Sequence, residues 1–270
     1  MKESIQIVRS YYDENAQKEW ARLEEHPFEF LFTTFMMEKH IHPGDTVLDI
    51  GGGPGRYAIH WAKMGCRVTL VDLSPGNVAL AEEKAREQGV PLRAMAANCL
   101  DLDELDLGQY DHVFLMGPLY HLIQEADRAE AVRLALRRLK PGGVFYCSFI
   151  LDFAAMIFYM NHGPGMLPLD AANGLLPMVI DSIVGGGCYE GPAFTQACFY
   201  NQRKIEPFLA PFGLQKLALF GQEGILSPNE KQILSYPEEE REMWIETAKL
   251  FLEIPELLAY SEHAMYIGRK

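Results

Sequence analysis

The stretch Val47–Gly65, VLDIGGGPGRYAIHWAKMG, decides the fold. An apolar run meets the acid Asp49. Gly51, Gly52, Gly53 and Gly55 then crowd into five positions, and a helical pattern follows from Arg56 and stops at Gly65. Glycine permits positive φ and lets another molecule approach the backbone. A glycine-rich turn between a buried strand and a helix N-terminus is therefore read as a ligand cradle, because the first helical N–H groups have no partners within the helix. A tight structural turn is the competing account of the same residues.

The spacing narrows the ligand. The dinucleotide fingerprint needs G-x-G-x-x-G, but counting from Gly51 the sixth residue is Arg56, and starts at Gly52 or Gly53 fail too. No Gly-Lys follows, so the phosphate-binding P-loop is excluded. What remains is D-x-G-x-G-x-G over Asp49, Gly51, Gly53 and Gly55. Asp72, at the end of the next strand-like run (RVTLV, Arg67–Val71), stands where a carboxylate can accept bonds from two ribose hydroxyls. Its position before Ser74-Pro75 also suits capping of the next helix.

Working outward, the chain alternates. Helical segments run from Pro75 to Gln88 and from Glu125 to Leu139, and strand-like runs cover Leu92–Ala96, Asp111–Met116 and Val144–Ile150, with Lys140-Pro141-Gly142-Gly143 as a closing turn. Strand, helix, strand, helix implies parallel pairing with helices on both faces. Before this core, Ile5–Ile41 is helical by spacing, with Pro27 opening a second helix. After it, Asp152–Thr195 has many Met, Gly and Pro residues and no clear period. Gly213–Phe220 and His263–Gly268 are two late strands, with helices at Arg203–Ala210 and from Pro237 to Leu252.

Taken together, "VLDIGGGPG", "VTLVDLS", "YDHVFLMGPLYHL" and "LRRLKPGGVF" resemble the successive motifs of the class I S-adenosylmethionine-dependent methyltransferases. The "GPLYHL" stretch resembles their bacterial small-molecule branch. The resemblance covers Val47–Ile150. It implies an α/β, Rossmann-like, seven-stranded, mostly parallel sheet whose last strand is antiparallel, with helices on both faces, an N-terminal helical cap and an insertion after the fifth strand. The chain divides accordingly into a cap (1–42), a cofactor-binding core (43–151), a lid or substrate insertion (152–200) and a C-terminal completion of the sheet (201–270).

The resemblance also implies roles. Asp49 and the Gly51, Gly53 and Gly55 backbone hold the methionine part of S-adenosyl-L-methionine. Asp72 takes the ribose hydroxyls and Leu73 lies against the adenine. Where the family often has Gly-Asp-Ala, this chain has Ala97-Asn98-Cys99; Asn98 can accept from the adenine amino group through its amide oxygen. Met116 ends the fourth strand, where the family places a backbone carbonyl near the sulfonium.

On the acceptor side, Tyr120 and His121 follow the fourth strand and are the candidate catalytic residues, His121 as a general base. The same histidine could instead be a capping or packed residue. Tyr11 and Tyr12 on the N-terminal helix, and Met156 and Met160 in the insertion, are candidates for the substrate pocket; as core aromatics and core-filling methionines they would be equally ordinary. His26, His40, His42 and His162 show no metal spacing, so no metal is expected.

Bulk properties bound the function class. Acidic residues outnumber basic ones, 37 to 24, for a formal charge of -13 over 270 residues. Such a surface repels phosphate backbones, so nucleic acid is not an expected partner. The five cysteines are odd in number and lack CxxC spacing, as in a reduced, cytoplasmic protein. No signal-peptide core is seen near Met1 and no apolar run approaches the ~20 residues of a membrane span. The expected function is methyl transfer to a small molecule, with the acceptor atom and oligomeric state left open. Protein or RNA methylation, or a non-catalytic module that binds the same cofactor, are the alternatives.

Overall fold

The computed structural model describes residues 3–161 and 163–270, so His162 lies outside the described residues. Two helices lead: α1 (Glu3–Glu25) and α2 (Pro27–Met37). Then come β1 (Thr46–Ile50), α3 (Arg56–Lys63), β2 (Arg67–Asp72), α4 (Pro75–Glu87), β3 (Arg93–Ala96), β4 (Tyr110–Leu115), α5 (Glu125–Arg137) and β5 (Leu139–Leu151). The insertion holds α6 (Ala154–Asn161), α7 (Met166–Ala172), α8 (Leu175–Gly185), β6 (Tyr189–Pro192) and β7 (Gln196–Tyr200). The chain finishes with α9 (Gln202–Leu209), β8 (Gln215–Gly221), α10 (Glu230–Leu234), α11 (Glu238–Lys249) and β9 (His263–Arg269).

β3, β2, β1, β4 and β5 pair in that order and in parallel. β9 adds to β5 antiparallel and β8 adds to β9 antiparallel. These are the seven strands of the expected sheet. The central strands read as near-continuous apolar runs because both faces are covered, which is how parallel sheets are built. Successive residues of β4 and β5 serve opposite cores: Val113, Leu115, Phe145 and Cys147 on one face, Phe114, Val144 and Tyr146 on the other. Truncating fully buried Phe114 to alanine would cost about 3–5 kcal/mol.

Two features differ from the expectation. Lys140-Pro141-Gly142-Gly143 does not end the helix ahead of a separate strand; it lies inside β5, where the pairing with β4 shifts register between Tyr110 and His112. Gly142, at φ +77°, makes the bend. The insertion also has structure that its composition hides. β6 and β7 form an antiparallel hairpin, and β7 pairs in parallel with Ile150 and Leu151 of β5. β4 pairs with β5 only as far as Cys147, while β9 holds the other edge of β5 through Ile150. β7 therefore continues along the edge that β4 leaves, beyond the carboxyl end of β4.

All five cysteines are free and four are buried. Among the described residues, no single helix is long and apolar enough to cross a membrane.

Candidate active site

In an open α/β sheet the ligand crevice lies beyond the carboxyl ends of the strands, where the strand order reverses. Here that point is between β1 and β4, and a cavity of about 110 Å³ lies there. Its floor is Gly51 and Gly53 after β1, Asp72 and Leu73 at the end of β2, Ala97, Asn98 and Cys99 after β3, and Gly117, Pro118, Tyr120, His121 and Leu122 after β4. Its roof is α1, through Ile5, Val8, Tyr12 and Glu19.

The four glycines do different work. A Cβ on Gly51 would meet Pro118 at 2.4 Å, on Gly52 Asp49 Oδ2 at 2.7 Å, and on Gly55 the Ala81 side chain at 2.9 Å. Those three are required by close packing. A Cβ on Gly53 would meet nothing within 4 Å, and Gly53 lines the cavity at φ +56°. Only Gly53 keeps open a space that no protein atom fills.

Asp72 is 7% exposed and tied down locally. Gly53 N–H donates to its Oδ2 (2.8 Å), while Ser74 N–H (2.9 Å) and Asn77 Nδ2 (3.2 Å) donate to its Oδ1. The helix α4 is capped by Ser74 instead, whose Oγ accepts from Asn77 N–H at 3.0 Å. Asp72 is thus not the cap. It joins the glycine loop to the start of α4, and Oδ2, with a single donor, retains acceptor capacity. Burial raises its pKa against the pull of those donors.

Asp49 sits elsewhere. It alternates with Val47 onto the core face of β1, beneath Gly52, is 2% exposed and does not line the cavity. Its Oδ2 is buried without a hydrogen-bond partner, and burial, followed by the nearby Asp72, lifts its pKa to about 7. Gly55 and Met116 also lie outside the lining. Asn98 lines the cavity, but its Oδ1 already accepts from Leu100 N–H at 3.0 Å and from the Cys99 thiol at 3.5 Å, so a ligand would have to displace the weaker thiol bond to use it.

The other end of the cavity is aromatic. His121 Nδ1 lies 3.0 Å from the Gln196 carbonyl, which can only accept, so Nδ1 carries the proton. Nε2 is then an acceptor and takes the Tyr12 hydroxyl at 2.9 Å. Burial holds the His121 pKa down to about 4, so the ring is neutral at ordinary pH. Burial likewise holds the Tyr12 phenol well above its usual range. Tyr120 packs edge-on to His121 with centroids 4.9 Å apart. Phe194, from the β6–β7 turn, packs on His121 (5.7 Å) and on Tyr11 (6.1 Å).

Tyr11 thus borders the site through Phe194 without lining the cavity. Met156 and Met160 are not brought to it: neither lines the cavity, and Met160 is 64% exposed on α6. Both lie on α6 of the insertion, outside this cavity. Sequence reasoning missed Gln196 and Phe194, which reach the site only because β7 extends along β5. It also paired no metal ligands, whereas the fold brings Glu29, Glu223 and His263 together.

Comparison with known proteins fits this geometry. Residues 47–143 match the family described as "Methyltransferase domain". A ubiquinone biosynthesis O-methyltransferase of Caulobacter vibrioides is 35% identical over 103 residues, which is 38% of this chain and 40% of that protein. Among solved structures, magnesium protoporphyrin IX methyltransferase from Synechocystis PCC 6803 with bound S-adenosylhomocysteine (SAH) superposes with a TM-score of 0.60 at 15% identity, covering 99% of this chain and 100% of that one. The 1,6-didemethyltoxoflavin-N1-methyltransferase of Burkholderia thailandensis gives 0.59 at 17% identity, covering 98% and 88%. The structural likenesses show the fold. The chain spans half or less of the length of these curated relatives. Residues 47–143 match a methyltransferase domain, and the chain as a whole has the fold of solved methyltransferases.

Proposed function

We propose that this chain is a class I methyltransferase, which binds S-adenosyl-L-methionine across the ends of β1 to β4 and transfers its methyl group to a small-molecule acceptor. The observation that carries the reading is a juxtaposition. The open face of Gly53 and the Asp72 carboxylate share one cavity with a neutral, oriented histidine and a tyrosine hydroxyl. When bound, the cofactor supplies an electrophilic methyl on a sulfonium.

The residues present fit that group. Asp72 Oδ2 would accept the ribose hydroxyls, Leu73 would pack on the adenine, and Asn98 and Cys99 would edge the ring. Gly51 and Gly53 would let the methionine portion lie against the backbone. Asp49 would act from below the loop, as a buried carboxylate under Gly52 rather than as a wall of the cavity.

On the acceptor side the protein aligns and shields. Tyr12, Tyr120 and His121 enclose the acceptor end and keep water out, which supports catalysis by orientation. The Gln196 carbonyl fixes the His121 tautomer, so Nε2 faces Tyr12 as an acceptor. It can take a proton from a hydroxyl acceptor through the Tyr12 oxygen or hold a bond to it. The named relatives act on small molecules through oxygen in one case and nitrogen in another, which supports the substrate class and leaves the atom open.

Two measurements test this. Calorimetric titration should show binding of S-adenosylmethionine and SAH but not of NAD. Methyl-labelled cofactor incubated with a metabolite extract should pass label into the small-molecule fraction; label in protein or RNA alone would overturn the substrate class.

A further inference from the structure

Three chemically capable side chains that the reading above leaves unused meet beside the site. Glu29 lies on α2, Glu223 in the turn after β8, and His263 at the start of β9. A carboxylate oxygen of each glutamate and a ring nitrogen of His263 all lie within 4.8 Å of one another. Glu223 is buried and the other two are partly buried.

We propose that Glu29, Glu223 and His263 form a binding site for a divalent transition-metal cation on the acceptor flank of the cavity. One imidazole with two carboxylates is a mixed nitrogen and oxygen donor set of the kind that takes zinc, manganese or iron(II).

The donors are held in advance by the fold. Glu223 Oε2 accepts the main-chain N–H of His263 (3.0 Å), and Oε1 lies 2.6 Å from His263 Nδ1. That contact fixes the imidazole plane, and each Glu223 oxygen keeps one further lone pair to offer an ion. Glu29 is more loosely engaged: Tyr57 O–H donates to Oε1 at 3.3 Å, and Arg22 NH1 is 3.7 Å from Oε2. Arg22 gives its close bonds to Glu19, through NH2 at 2.7 Å and Nε at 3.1 Å. Glu29 therefore keeps lone pairs for another cation.

Metal bonds of ~2.0–2.2 Å set donor atoms about 3–3.5 Å apart. The contraction from 4.8 Å is within reach of two glutamate side chains with three rotatable bonds each. Three protein donors leave positions open for further ligands. The His263 ring is 6.1 Å from that of Tyr120, which lines the cavity. An open position on that side suits an acceptor oxygen, and this last assignment alone rests on the methyltransferase reading.

The test is calorimetric titration of the chelator-stripped full chain with Zn²⁺ and, separately, Mn²⁺, without cofactor, alongside titration with SAH. One ion per chain is expected, with binding weakened more than ~10-fold in both Glu29→Gln and His263→Ala while SAH binding persists. No ion bound by the wild type, or unchanged ion binding in both variants, overturns the metal site. SAH bound without metal leaves the methyltransferase reading standing; metal bound without SAH does the reverse. Should a variant not fold, selective Mn²⁺ broadening of the His263 ring signals in the wild-type NMR spectrum decides the point, and its absence counts against the site.

Discussion

The two ends of the cavity are built on different length scales. At the Asp72 end the chain bonds to itself over short distances: Gly53 to Asp72 across 19 residues, and Ser74 to Asp72 across two. At the His121 end the partners are remote. Tyr12 and His121 are 109 residues apart, and His121 and Gln196 are 75 apart. The first end is a local motif that the strand–turn–helix makes by itself. The second exists only when α1, the turn after β4 and the β6–β7 hairpin have all docked.

The largest expected effect separates the two ends. His121→Ala should lower kcat by ~100-fold or more while cofactor affinity stays nearly unchanged. The acid limb of turnover should also be displaced. An unperturbed histidine titrates near ~6.5, but burial holds His121 to about 4, so activity that depends on its neutral ring should survive until the pH falls through about 4. The same depressed value means that the unfolded chain binds more protons between those two values, so stability from this group is lost as pH falls across that window. A limb near 6.5 in the pH–rate profile would show the ring to be solvated in turnover and the remote end to be looser than described.

Asp72→Ala tests the local end. Cofactor affinity should fall by roughly 1.5–3 kcal/mol, the scale of hydrogen bonds to a charged group, with α4 still capped by Ser74. Unchanged affinity in a folded variant, measured by titration with SAH, would leave Asp72 as a loop tie alone.

The smallest effect concerns Asp49 and sharpens the local end further. Burial lifts its pKa to about 7, against about 3.9 in an unfolded chain. The folded state then holds the extra proton between those values, so the stability of the unliganded protein should decline as pH rises through about 7. Asp49→Asn should flatten that decline and raise stability at pH 8, because the amide has no charge to hold buried. Thermal melts across pH would check it. A wild-type melting profile without that decline would mean that Asp49 has a partner under the loop.

The same contrast governs what was legible in the sequence. The alternation of strands and helices, the caps at Gly65, Ser74 and Gly89, and the glycine loop followed from periodicity and local residue chemistry, while the antiparallel last strand was implied by the family resemblance and the strand order is seen only in the fold. The four glycines were legible as a group but not as individuals, since only tertiary neighbours show that Gly51 meets Pro118 and Gly55 meets Ala81. The hairpin was hidden because Tyr189–Pro192 and Gln196–Tyr200 are too short for a firm period. Met160 carried no signal separating a pocket residue from a surface one. Glu29, Glu223 and His263 share no spacing at all, being joined only through the sheet's carboxyl edge.

α1 carries one more consequence. It roofs a cavity of about 110 Å³, small beside the ~300 Å³ or more of ordinary small-molecule pockets. Asp13 Oδ1 latches it to α4, accepting from Ser74 Oγ at 2.6 Å and Gly76 N–H at 3.1 Å, and its regular winding is interrupted at Asn15. Tyr12 lies on this same helix. A swing of α1 wide enough to admit a ligand also carries the Tyr12 hydroxyl away from His121 Nε2. Door and workbench are one piece, so the reactive arrangement exists only during the interval when the entrance is shut. Under the proposed reaction, turnover would then be gated by the lifting and settling of that helix.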